Sequence, residues 1–123
     1  MQDKKWTVQF YDKFGQELDQ LQEAVQDELL AHALLLEKFG PQLGRPAVDT
    51  LKCSKHANMK ELPFKADNGV WRVAFAFDIQ RNAILLFAGD KSGVSETRFY
   101  KELIRKADER FSNHLSVIQE VSS

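Results

Sequence analysis

Lys55, His56, Lys60, Lys65, Arg72, Lys91, Arg98 and Tyr100 are the side chains in this sequence whose chemistry and grouping suit work on a phosphodiester. Cutting RNA without a metal needs a group that activates the 2′-hydroxyl, a group that stabilises the extra negative charge on the phosphate, and a group that helps the leaving oxygen. Arginine and lysine can do the second. Lysine, histidine or tyrosine can do the others. Arg72 is the most informative of the set because it interrupts a strand pattern. Trp71, Val73, Phe75 and Phe77 point one way, and Val70, Arg72, Ala74 and Ala76 point the other. An arginine on the solvated side of a half-buried sheet gives the same pattern, so the strand alone leaves a catalytic and a surface reading open.

Other chemistries find less support. His32, His56 and His114 are far apart in sequence, and no Cys or His pair has ligand spacing, so no metal is expected. Cys53 and His56 lack an orienting third group for nucleophilic catalysis. Gly89-Asp90-Lys91-Ser92-Gly93 contains a Lys-Ser pair without the earlier glycine of a phosphate-cradling loop, and no cofactor is expected.

These residues need elements to position them. Trp6 to Tyr11 is β-prone. Phe14, Leu18, Leu21, Val25, Leu29, Ala33 and Leu36 are spaced 4, 3, 4, 4, 4 and 3 apart, which predicts one long helix ended by Gly40-Pro41. Its other side carries Glu17, Glu23, Asp27 and Glu28. A loop-rich stretch leads to strands at Glu61 to Lys65, Val70 to Asp78 and Ala83 to Gly89, the first two joined by the turn Ala66-Asp67-Asn68-Gly69. Ser95 caps a second helix, with Phe99, Leu103, Ala107, Phe111, Leu115 and Ile118 in one stripe. The predicted fold is α+β, with both helices covering the aromatic face of an antiparallel sheet. The small residues around Arg72 predict a shallow, open opposite face. Arg72 near the start of its strand and Lys91 just past the end of the next should approach each other, both exposed.

Length and composition bound the rest. A chain of 123 residues with 43% hydrophobic residues suits one domain, residues 1–123, with a real core. The net charge of −1 argues against a generic nucleic-acid binder. The distribution is uneven: residues 1–43 hold four Lys/Arg and eight Asp/Glu, whereas residues 44–123 hold thirteen and ten. A lone cysteine fits a reducing cytoplasm, no leader is expected from Met1 to Trp6, and no apolar run approaches the ~20 residues of a membrane span.

Leu51 to Phe111 resembles the RelE/ParE superfamily of toxin–antitoxin toxins, in its phage-derived HigB-like branch. The likeness rests on SKHANMKELPF (Ser54 to Phe64), DNGVWRVAFAFD (Asp67 to Asp78), ILLFAGDKSG (Ile84 to Gly93) and ETRFYKELIRKADERF (Glu96 to Phe111). The resemblance implies a RelE-like fold: an antiparallel sheet of 3–5 strands covered by a long N-terminal and a C-terminal helix, with a concave face for RNA. It implies a cytoplasmic, metal- and cofactor-independent endoribonuclease, an mRNA interferase that cuts ribosome-bound mRNA and inhibits translation. Its partners would be the ribosome, mRNA and an antitoxin of helix-turn-helix type. Arg72 matches the family's strand arginine and Lys91 the lysine after the last strand. With Lys55 and Tyr100 they form the expected catalytic set, and Lys65, Arg98, His56 and Lys60 the expected RNA contacts. Pro63 departs from the pattern, standing where relatives often carry arginine. A ParE-like, non-enzymatic gyrase inhibitor and a degenerate member that only binds its antitoxin are the alternatives.

Overall fold

A computed structural model describes residues 6–122, with side chains through Gln119. Met1 to Lys5, part of the stretch in which no leader is expected, lie outside the described residues. The order is strand β1 (Thr7–Phe10), helices α1 (Asp12–Leu18) and α2 (Glu23–Phe39), a 3₁₀ turn (Gly40–Gln42), strands β2 (Asp49–Thr50), β3 (Lys60–Ala66), β4 (Gly69–Phe77) and β5 (Asn82–Asp90), and helix α3 (Glu96–Ser122). Five strands form one sheet in the order β1-β5-β4-β3-β2. The β3-β4-β5 meander is antiparallel and follows the predicted turns. β1 is parallel to β5, which makes the sheet mixed, and β2 is a short edge strand in the predicted loop. Among the described residues no helix is long and apolar enough to cross a membrane.

The predicted layering is corrected: the helices lie on opposite faces of the sheet. α1 and α2 cover the aromatic face, where Phe14, Val25, Leu29 and Leu36 meet Leu62, Val73, Phe75 and Leu85. α3 covers the other face, where Phe99, Leu103, Ala107 and Phe111 meet Ala74, Ala76, Ile84 and Leu86. Ala74 and Ala76 are fully buried. Small side chains there let a helix approach the sheet closely; they do not mark an open surface. The sheet is therefore a middle layer between two hydrophobic cores.

The predicted single helix is broken at Asp19 to Gln22. The apolar stripe continues across the break, so Phe14, Leu18, Val25 and Leu29 are all buried. Gln26 Nε2 donates to the Leu21 carbonyl at 2.9 Å and satisfies one acceptor that the break releases. No proline or glycine marks this turn in the sequence. Gly40 ends α2 with φ of 56°, and a Cβ there would lie 2.3 Å from the Trp6 indole, so only glycine fits.

A β-bulge breaks the β4–β5 ladder. Phe75 pairs with Leu85 and Ala74 with Phe87, leaving Leu86 unpaired between them. Leu86 and Phe87 consequently both turn toward α3. The Leu86 carbonyl accepts from Arg110 Nη1 at 2.7 Å. The same guanidinium is buried and grips Glu17 on α1 with two bonds of 2.9 and 2.6 Å. It also lies over the rings of Tyr11 and Phe87, 5.6 and 5.3 Å from their centroids. The hydrogen bond from Arg110 holds the Glu17 carboxyl below the usual glutamate range. One arginine thus ties α3, the bulge and α1 together.

Two polar contacts fasten the remaining loops. Asp78 is buried after β4, where its Oδ1 accepts from the backbone N–H groups of Gln80 and Asn82 and its Oδ2 meets His114 Nε2 at 2.9 Å. Burial pushes its pKa up, but the His114 and Asn82 hydrogen bonds outweigh that and leave it below the usual aspartate range. Stability from this carboxylate is complete above its unfolded pKa of about 3.9 and is lost as pH falls toward the lower folded value. Asp78→Asn should be less stable than the wild type at neutral pH, and the gap should narrow below about pH 4. Urea midpoints measured down to pH 3 check this; a gap that stays constant would assign the effect to shape and not to charge.

In the second contact Ser54 Oγ donates to Asp108 Oδ1 on α3, and the Lys55 N–H donates to Asp108 Oδ2 at 3.1 Å. Ser54→Ala should cost about 1.5–3 kcal/mol, the range for a hydrogen bond to a charged group. Hydrogen exchange should rise from Leu51 to Met59 before it rises elsewhere; unchanged protection there would show that Asp108 does not anchor the loop.

Candidate active site

A grouping of chemistry-bearing side chains lies at the edge of the α3 layer. Register fixes half of it. Pro63 pairs with Arg72, and Glu61 with Ala74, so the odd positions of β3 share the Arg72 face. Arg72 also pairs with Gly89 on β5. The N-terminal end of α3 then brings Tyr100 over the strands. Arg72 Nε donates to Tyr100 Oη at 3.2 Å, and the Tyr100 hydroxyl donates to Glu61 Oε1 at 2.8 Å. Arg72 Nε is 3.7 Å from Glu61 Oε1, with 18% of the arginine side chain and 14% of the glutamate exposed. Lys91 closes the group: its N–H donates to the Val70 carbonyl at 2.8 Å, and its ammonium stands 5.8 Å from the Tyr100 ring centroid. Lys91 Nζ is also 3.6 Å from Glu96.

Electrostatics follow from that enclosure. Burial raises the Glu61 pKa above the usual glutamate value, against the lowering pull of the Tyr100 hydrogen bond and the Arg72 charge. Burial and the Glu61 hydrogen bond raise Tyr100 above the usual tyrosine value. The group therefore combines a carboxylate of increased basicity, a neutral phenol and two cations.

The approach of Arg72 to Lys91 follows the predicted meander geometry, with Tyr100 between them. Their expected exposure is corrected: α3 covers this face, so both are largely enclosed. Lys65 is exposed one alternation beyond Pro63 on the same face. The remaining candidates lie elsewhere. Lys60 pairs with Phe75 and shares the α2 face with Leu62 and Phe64. Lys55 is exposed beside Arg105, Asp108 and Ser112, about two turns along α3 from Tyr100. His56 Nε2 is 3.0 Å from Ser112 Oγ and its ring meets the Phe111 edge, which makes it a packing residue. Arg98 lines a cleft with Phe87, Gly89 and Phe99, whereas Tyr100 faces the one lined by Cys53, Lys101 and Ile104.

Glu61 is the member that sequence reasoning missed. The signal was available: with the turn at Ala66 to Gly69, counting back along the hairpin puts Glu61 on the Arg72 face. Among the described residues no group of three or more His, Cys, Asp or Glu side chains is placed to hold a metal ion.

The sheet order and its two helical layers place the chain in a known fold class. Its fold matches a mutant of the E. coli toxin RelE in the free state with a TM-score of 0.59 at 11% identity, over 82% of this chain and 95% of that one. At sequence level, residues 16–112 match the family model described as phage derived protein Gp49-like (DUF891). Two Mycobacterium tuberculosis (strain ATCC 25618 / H37Rv) proteins named as candidate toxins are similar as well. HigB2 is 47% identical over 87 residues, 70% of this chain, and HigB3 is 49% identical over 82 residues, 67% of this chain. The matched stretch spans 43% of HigB2 and 69% of HigB3. The chain belongs to the Gp49-like family as a HigB-like member, and its fold is RelE-like.

Proposed function

We propose that this chain is the toxin of a toxin–antitoxin pair and a metal-independent endoribonuclease that cuts ribosome-bound mRNA. The observation that carries the reading is the Arg72–Tyr100–Glu61 contact with Lys91 beside it. In this reading Glu61 takes the proton of the 2′-hydroxyl, its raised pKa bringing it nearer to working pH. The 2′-oxygen attacks the adjacent phosphorus and the bond to the 5′-oxygen breaks; that oxygen takes a proton from water and leaves as a 5′-hydroxyl, and the other product ends in a 2′,3′-cyclic phosphate. Arg72 and Lys91 offset the charge that grows on the phosphoryl oxygens. Tyr100 sits between base and cation, where its hydroxyl can orient the substrate.

The relatives named toxins and the RelE-like fold support this reading. The partners proposed with it are the ribosome, mRNA and an antitoxin of helix-turn-helix type, and the working compartment is the cytoplasm. A second, non-catalytic reading has two observations in its favour. Glu61 already neutralises Arg72, and Pro63 supplies no charge at the neighbouring position. Induced expression in bacteria with mapping of mRNA 5′ ends separates them. Cuts inside translated codons are expected. Intact mRNA with gyrase-linked DNA breaks would transfer the assignment to a gyrase inhibitor, and no growth effect would leave a chain that only binds its antitoxin.

A further inference from the structure

α2 carries large apolar side chains on the outer as well as the inner side of its C-terminal half. Val25, Leu29, Ala33 and Leu36 form its buried stripe. Leu30, Leu34, Leu35 and Phe39 stay exposed at 45%, 64%, 37% and 42%. They form two pairs one helical turn apart, Leu30 with Leu34 and Leu35 with Phe39. A surface helix normally turns charged residues outward, whereas four large apolar side chains share this half's outer surface with Lys38 and the partly exposed Glu37. The N-terminal half of the same outer face is different: Glu23, Asp27 and Glu28 are exposed and acidic.

We propose that the outer face of α2 docks a partner protein's segment that has an apolar stripe and carries Lys or Arg at one end. Leu34, with Leu30 and Leu35 beside it, would be the anchor, and the basic end would lie against Glu23, Asp27 and Glu28. Charge decides against a second copy of this chain as the occupant. In a parallel pair of copies the two acidic rows would face each other, and in an antiparallel pair each row would lie against the partner's apolar half with only Lys38 to meet it, whereas a basic segment gains attraction along the whole row. α2 lies on the sheet face opposite Tyr100 and Arg72, so the docked segment leaves that site open. The proposal holds whether or not RNA is cut there.

The test uses the full chain and a labelled synthetic helical peptide. The peptide has leucines on one face and lysines at one end, and a twin carries glutamates in place of the lysines. The lysine peptide should bind the wild type and the glutamate twin should not. Leu34→Glu should weaken binding at least about tenfold, a loss of about 1.4 kcal/mol, although it makes the face more acidic. Glu23→Lys with Asp27→Lys should reverse the preference between the peptides. Leu34→Ser, without a new charge, should also weaken binding, and unchanged melts of these exposed-site variants would show that they fold. Equal affinity in Leu34→Glu, or equal binding of the two peptides, would overturn the proposal. So would a wild-type dimer in light scattering that Leu34→Glu dissociates, because the face would then belong to a second copy.

Discussion

Replacing Arg72 with alanine should abolish the growth inhibition expected of the proposed toxin. Loss of one electrostatic contact to the phosphate typically costs about 10²–10³-fold in rate. The variant should also melt earlier, contrary to what an exposed arginine would give. Arg72 donates to Tyr100 and to the Trp71 carbonyl and stands beside Glu61, which is itself only 14% exposed. Its removal leaves an enclosed carboxylate without its cation. The informative experiment measures cleavage of ribosome-bound mRNA by purified protein, at a temperature below both melting transitions. Arg72→Lys belongs in the set because it keeps the charge and loses the planar fork. A folded Arg72→Ala protein that cuts within a few-fold of wild type would remove Arg72 from the site. Lys91→Ala should reduce cutting with a smaller change in melting, since Lys91 meets Glu96, which is largely exposed.

Arg110→Ala should cost more than about 2 kcal/mol, because it strands a buried carbonyl, at about 1–3 kcal/mol, and removes the charge-assisted bonds to Glu17. Its side chain is 6% exposed, against 41% for Glu17. Alanine would strand the Leu86 carbonyl at the bulge, leave two aromatic faces unfilled and release α1 from α3. That is a large share of a small domain's stability. Glu17→Ala should cost less, because water can reach that end of the pair. Denaturant titration of both variants checks the order, and an Arg110→Ala loss below about 1 kcal/mol would show that the contact is not a structural tie.

The periodic parts of the fold were legible. Alternation along Val70 to Asp78 placed Phe75 in the core, and it is fully buried. The Asp67-Asn68 turn, both residues with positive φ, set the β3–β4 register. Layering was not legible, because Ala74 and Ala76 suit both an open surface and a closely packed helix. The break between α1 and α2 was invisible because the hydrophobic stripe runs through it unchanged. The ties made by Arg110 and by His114 with Asp78 join residues distant in sequence, which no local pattern encodes. For the candidate site, types alone suggested eight cations and aromatics, whereas three-dimensional grouping retains Arg72, Lys91 and Tyr100 and adds a carboxylate. A search for cations on a phosphate site passes over a glutamate, although the hairpin count would have found Glu61.

The parallel pairing of β1 with β5 has a consequence for the order of folding. Thr7 must find Asn82, with most of the chain looped between them. Closure of so long a loop costs more entropy than forming the hairpins of β3, β4 and β5, whose partners are near in sequence. The meander can therefore assemble early, and the amino-terminal strand docks late. During synthesis β1 leaves the ribosome long before its partner strand exists. The Glu61–Arg72 half of the site can form on the nascent hairpin, but Tyr100 arrives only when the start of α3 emerges. A polypeptide truncated before Tyr100 would hold the strand arginine and its carboxylate without the phenol that joins them.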